Sequence, residues 1–221
     1  MLSLPTHISQ QCRDCQERNE VTCWVLVDGG TRPDLIGRII RGSLQEVACP
    51  RCSQIHRLEL PVLVFRQETS PTLVFSPSRA MNDAENSSRR DQLIRILKTQ
   101  IETFELRAGP DGKRNAPLGY KWQASWAESI ATVGRAELGL YLSQSLEREK
   151  LGLIHFRERG DVQRAVDAAR SIVETTRSYF GSDDLEYATA LNNFGVVLNE
   201  AGLFADAASA HREALNIIRS S

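Results

Sequence analysis

No stretch of this chain approaches the roughly 18 consecutive apolar residues that carry a helix across a bilayer. Membrane-spanning readings fall away. A surplus of charge is missing too: 27 Lys plus Arg stand against 28 Asp plus Glu, a net charge of −1, so no overall field draws nucleic acid in. Residues 1–82 hold nine Arg, no Lys and eight carboxylates, which makes a nucleic-acid partner the weaker expectation even for the N-terminal part. The first eleven residues have neither the charged start nor the apolar middle of a secretory signal, and the location expected is cytoplasmic and reducing. Catalytic signatures are absent as well: there is no Gly-x-Ser-x-Gly, no His-Glu-x-x-His and no glycine-rich dinucleotide fingerprint. The run Gly109-Pro-Asp-Gly-Lys113 lacks the four-residue gap and the following Ser or Thr of a phosphate loop. A non-enzymatic role is the expectation.

Cysteine is scarce but organised. Of five cysteines, four form two Cys-x-x-Cys pairs, Cys12/Cys15 and Cys49/Cys52. A two-residue gap lets one tight turn aim both sulfurs at a point, and two such turns brought together complete the tetrahedral shell of a structural zinc ion. Four protein ligands leave no position for water, so the metal expected here, Zn2+, holds the fold and does no chemistry. A redox dithiol would need a strand-to-helix setting that neither pair has. Disulfides would need an oxidising compartment and would leave one cysteine unpaired. Zinc ranks first, redox second and disulfides last. Cys23 falls in the alternating run Val21–Val27 and reads as a buried core thiol. His7 and His56 flank the pairs and read as surface residues, since four sulfurs already satisfy an ion.

At 221 residues, with 41% apolar and 25% charged content, the chain has room for one large domain or two small ones. Residues 1–80 are rich in Val, Leu, Thr and Pro, with strand-like stretches at 21–27, 54–65 and 72–75. Pro33 and Gly42 bracket a short helix between the cysteine pairs. Residues 81–88 read as a linker. In 89–142, a helical connector, Leu93, Ile94, Leu97, Ile101 and Phe104 recur at three- and four-residue steps on a helix from about 89 to 106. A loop at 108–120 interrupts it, and Trp122, Trp126, Ile130 and Val133 restart helical spacing. The fold class expected is α+β: a small antiparallel β module of zinc-ribbon type, then an all-α repeat region.

The repeat lies in 143–221. At an offset of 42, Glu158, Gly160, Ala165, Ala168 and Arg170 align with Glu200, Gly202, Ala207, Ala210 and Arg212. Each unit is two helices around a central Gly, and neither pair can bury its apolar face alone, so stacking supplies the core. The run Ala190-Leu-Asn-Asn-Phe-Gly-Val-Val-Leu198, with Gly202, Ala207 and Ala214-Leu215, resembles the tetratricopeptide repeat. The 42-residue period and the joining segment 180–188 resemble the kinesin-light-chain variety. The first unit diverges, with Glu149 and Leu153 where the pattern prefers a large apolar residue and a small one.

That resemblance implies a groove lined by the first helix of each repeat. Carried over by position, Thr189, Asn192, Val196, Asn199 and Glu200 would face it, together with Lys150, Ile154 and Arg157. The asparagines would then hydrogen-bond a bound backbone, and Lys150 and Arg157 would favour acidic groups on the ligand. The bland alternative, solvated polar residues on exposed helix faces, stands beside this.

The N-terminal part is similar to the bacterial CpXC domain, a zinc-binding family without an assigned activity. The likeness is carried by Cys12-x-x-Cys15, Pro33, Gly42-Ser-Leu-Gln45, Cys49-Pro50-x-Cys52 and the run Leu60-Pro-Val-Leu-Val-Phe65, over about residues 7–80. The family places Gly after the second cysteine of a pair, where positive φ is needed, whereas this chain has Gln16 and Ser53. Left-handed backbone there costs about 1 kcal/mol per non-glycine residue.

The function expected is an intracellular adaptor: a structural zinc module plus a groove for a peptide or protein. A nucleic-acid-binding ribbon using Arg13, Arg18, Arg38, Arg41, Arg51 and Arg57 is the alternative, and a thiol oxidoreductase built on Cys49 and Cys52 is a third reading. The final helix carries Phe204, Ala207, Ala208, Leu215 and Ile218 with no capping helix after it, which predicts self-association or a further docked partner through that end.

Overall fold

A computed structural model describes residues 2–67, 69–107 and 121–221, with the side chains of 104–107 excepted. The Phe104 side chain and the loop expected at 108–120 lie outside what is described. The chain divides into two compact units, residues 1–139 and 140–221.

The first unit is built on a five-stranded sheet of β1 (Leu4–Gln11), β2 (Arg18–Asp28), β5 (Val62–Phe65), β6 (Leu73–Ser76) and β7 (Ala131–Thr132), in the order β1-β2-β5-β6-β7. A second sheet pairs β3 (Glu46–Ala48) with β4 (Ile55–Arg57). The expectation of an antiparallel module is corrected here: β2 runs parallel to β5 and β6 parallel to β7, so the main sheet is mixed. Parallel pairing requires crossovers. The first contains α1 (Pro33–Ile40), which begins after the turn that buried Asp28 fixes, its Oδ1 accepting from the Gly30 amide at 3.0 Å and its Oδ2 from Thr31 Oγ1 at 2.7 Å. Helix α1 stops at Gly42, whose φ of 72° only glycine adopts cheaply.

The second crossover is α2 (Asp83–Arg107) and the short α3 (Ala124–Glu128). On α2 Leu93, Leu97 and Ile101 are buried with Val25, Leu26, Leu63, Phe65, Leu73 and Phe75 of the sheet and Trp126 of α3. Val62, Val64 and Val74 alternate to the other face and are buried too. Cover on both faces explains why β5 and β6 are unbroken apolar runs. The segment 81–88, expected as a linker, is instead largely the start of α2. Asn82 and Glu85 cap it reciprocally, at 2.8 and 2.9 Å, and buried Asn86 ties it back to Ser78 at 2.8 and 2.9 Å. The connector expected at 89–142 is corrected likewise: α2 and α3 belong to the sheet's core, and Ile130 leads into β7 instead of a helix.

Helix α4 (Arg135–Glu158) contains the division between units, which falls after Gly139. The second unit continues with α5 (Val162–Phe180), α6 (Leu185–Glu200) and α7 (Phe204–Ser220). Gly160 and Gly202, 42 residues apart, both turn the chain with positive φ, 69° and 77°. Asp161 and Asp184 cap α5 and α6 through the amides of Arg164 and Glu186. The repeats trade volume at equivalent positions. In the second, Gly195 of α6 admits the His211 ring of α7; in the first, the counterparts are Leu153 and Ala169. Each helix pair therefore holds one large and one small side chain at this level.

Candidate metal centre and repeat groove

The β1–β2 hairpin and the β3–β4 hairpin each end in a cysteine pair. Both turns fold alike. The Cys12 amide donates to Glu17 O at 2.8 Å and the Gln16 amide to Cys12 O at 3.0 Å; the Cys49 amide donates to Gln54 O and the Ser53 amide to Cys49 O, both at 2.8 Å. Gln16 and Ser53 each have φ of 59°, the left-handed conformation expected after the second cysteine of each pair. Two non-glycine residues held there mark a backbone shaped for the sulfurs.

All four Sγ atoms lie within 4.8 Å of one another. Contacts of 3.6 Å join Cys12 to Cys52 and Cys15 to Cys49, across the two hairpins. A tetrahedron with metal–sulfur bonds of about 2.3 Å has edges of about 3.8 Å. The donor set thus fits a single tetrahedral ion, and the four thiols are free of disulfides.

Electrostatics point the same way. The Cys52 and Arg51 amides and neighbouring thiols hold the Cys49 thiol down to about 6 against opposing desolvation. At Cys52 the Gln54 amide pulls downward but is outweighed by desolvation and the other three sulfurs, and this thiol is pushed up to about 12. Like charges at this spacing cannot all form without a cation among them.

Neighbouring side chains complete the setting. Asn19 Nδ2 points at Cys49 Sγ at 3.6 Å, and Arg51 joins Glu17 at 3.2 Å, linking the two turns. His56, read from sequence as a surface residue, is half-buried with Nε2 3.2 Å from Cys12 Sγ; its side chain on β4 faces the other hairpin, a register the sequence alone did not reveal. His7 is exposed and contacts Thr22 at 3.1 Å. Cys23 is buried, and burial pushes its thiol up, as suits an inert core residue. The arginines of the nucleic-acid alternative are partly spent on local partners: Arg51 on Glu17, Arg57 on Glu46, and Arg38 on the Ser43 and Leu44 carbonyls.

In the second unit Val196 and Ile154 are exposed, at 39% and 50%. Lys150 pairs with Glu147 at 2.8 Å. Arg157 forms a two-pronged ion pair with Glu200 of α6, so both cations carry local carboxylates. Asn192 Oδ1 accepts from His211 Nδ1 at 2.9 Å and Asn199 Nδ2 stands 3.5 Å from His211 Nε2. The two amides assigned to the groove therefore flank an imidazole from α7. A cavity of about 210 Å³ opens between α4, α5 and α6, bordered by Lys150, Leu153, Thr189 and Asn193. Among the described residues no helix is long and apolar enough to cross a membrane.

A β-rich domain with a clustered cysteine quartet, followed by paired helices of tetratricopeptide type, is the class these features define. Residues 10–117 match the CpXC protein family and residues 142–220 match the tetratricopeptide repeat. No curated protein and no solved structure matches the chain.

Proposed function

We propose that this protein is a non-catalytic adaptor, in which a zinc-held CpXC domain accompanies a repeat region that recognises a polypeptide. Four sulfurs at tetrahedral spacing carry the first half of the reading. Cys12, Cys15, Cys49 and Cys52 are its ligands, and a closed shell gives the metal a structural role. Zinc suits four thiolates better than the harder divalent ions, which prefer oxygen. Thiolate ligands keep best in a reducing compartment, hence a cytoplasmic location.

The match to a repeat class that generally mediates protein–protein interaction supports the second half. The 42-residue period favours the kinesin-light-chain variety. Lys150, Arg157, Asn192, Val196 and Asn199 are the groove residues of this reading, with Val196 supplying exposed apolar surface. The ion pairs at Lys150 and Arg157 leave less net attraction for an acidic ligand than the bare sequence suggests.

Self-association through α7 is part of the proposal. Ala208, Leu215 and Ile218 are exposed, while their counterparts 42 residues earlier, Val166, Val173 and Thr176, are buried in the repeat core. The same face is covered once within the chain and open the second time.

The test of the adaptor reading is capture from source lysate on immobilised wild-type protein and on Lys150→Glu/Val196→Glu. A partner retained at a fixed ratio by the wild type and lost by the variant, with metal content equal in both, is the expected result. Identical capture by both overturns the groove.

A further inference from the structure

We propose that His56 is a positioning residue of the cysteine site, donating from Nε2 to the Cys12 sulfur. The inference rests on the reading of the four cysteines as metal ligands and adds a residue outside that set.

Two geometries compete for His56. Cys12, Asp14 and His56 also come within 4.8 Å of one another, which raises the possibility that the imidazole is itself a ligand. Nitrogen and sulfur bound to one tetrahedral zinc, at about 2.05 and 2.3 Å, stand about 3.55 Å apart. Nε2 and Sγ are 3.2 Å apart, within hydrogen-bond reach, and His56 falls outside the set of four cysteines whose donor atoms all lie within 4.8 Å of one another. The sulfur–sulfur contacts of 3.6 Å do have the spacing of shared ligands. His56 is therefore assigned to Cys12 from outside the four-sulfur set.

This placement resembles that of Asn19, whose Nδ2 donates to Cys49 Sγ at 3.6 Å in the other pair. A tetrathiolate around a divalent ion keeps a net negative charge, and N–H donors aimed at sulfur stabilise it. For Cys12 the imidazole supplies such a donor from the opposite hairpin. It thereby ties the β4 strand to the first cysteine turn. Its place on β4 is fixed by the pairing of His56 with Val47.

The experiment compares wild type, His56→Ala, His56→Leu and His56→Gln as full chains loaded with Zn2+ or Co2+. Three readouts are taken: the rate of metal transfer to a chromogenic chelator, the alkylation rate of each cysteine by mass spectrometry, and the Co2+ spectrum. Removing the donor with Ala or Leu should speed metal release about 10- to 100-fold and expose Cys12 to alkylation ahead of the other three ligands. Gln, which keeps an N–H donor, should recover most of the loss. The Co2+ bands should remain those of four sulfurs in every variant, with the sulfur charge-transfer band displaced in Ala and Leu.

Release within twofold of wild type for Ala and Leu overturns the proposal, as does equal loss in Gln and Leu with all four thiols exposed alike. A wild-type spectrum of three sulfurs and one nitrogen overturns it in favour of ligation. Should wild type bind neither ion, the metal reading itself fails, a result distinct from a bound metal indifferent to position 56. A variant that does not fold once stripped of metal is still read in its loaded form, where the order of Gln against Leu decides.

Discussion

Replacing Gly195 with alanine tests how the second repeat is packed. A Cβ built at Gly195 would lie 2.6, 2.7 and 2.9 Å from three ring atoms of His211, well inside van der Waals contact. Helix propensity alone favours alanine over a mid-helix glycine by about 1 kcal/mol. Against it, the imidazole must swing outward, a route its half-exposed position allows. Swinging out breaks the bond to Asn192, worth about 1 kcal/mol, and overpacking of this kind costs about 1–3 kcal/mol. The net expectation is a loss of about 1–3 kcal/mol. In a His211→Ala background the obstacle is gone, and the same substitution should stabilise by about 0.5–1 kcal/mol. Urea unfolding followed by helical circular dichroism, run as a double-mutant cycle, should give a coupling of about 1.5–4 kcal/mol. A Gly195→Ala chain that gains equal stability in both backgrounds would refute the packing argument.

Two further outcomes follow from the same geometry. Gly139→Ala should lower the stability of the first unit by about 1–3 kcal/mol, because the new Cβ meets the Ile40 and Ile39 carbonyl oxygens at 2.9 and 3.0 Å, and backbone cannot rotate away as a side chain can; thermal unfolding unchanged from wild type would contradict this. Glu200 is held below the usual carboxylate range chiefly by its hydrogen bond from Arg157, so its contribution is present above the unfolded pKa and lost as pH falls through the folded one. Solvent screening keeps that contribution small, and Glu200→Gln should flatten the acid limb of the stability curve only slightly; a large change would mean the pair matters more than its exposure suggests.

The cysteine quartet, the helix bounded by Pro33 and Gly42, the α2 stripe and the 42-residue repeat were legible because each rests on local spacing. The left-handed backbone at Gln16 and Ser53 was legible through family likeness, which marks the positions where glycine usually stands. Other features depended on partners distant in sequence. Parallel pairing of β2 with β5 is invisible in alternation, since cover on both faces erases the period of two. The start of α2 was missed although Asn82 and Glu85 stand at the spacing of a capping box; the polar composition of the segment outweighed that signal. His56 gave no sign because the sulfur it neighbours, Cys12, lies 44 residues away on the other hairpin. Asn192 and Asn199 sit on the helix face that likeness to the repeat assigns to the groove, yet the imidazole they flank comes from the next helix.

Native mass spectrometry of protein purified without added metal, followed by alkylation before and after chelation, addresses the central claim most directly. The account predicts one zinc per chain, with Cys12, Cys15, Cys49 and Cys52 protected until the ion is removed and all four modified afterwards. A metal-free chain whose cysteines react at once, or are found as disulfides, would contradict it.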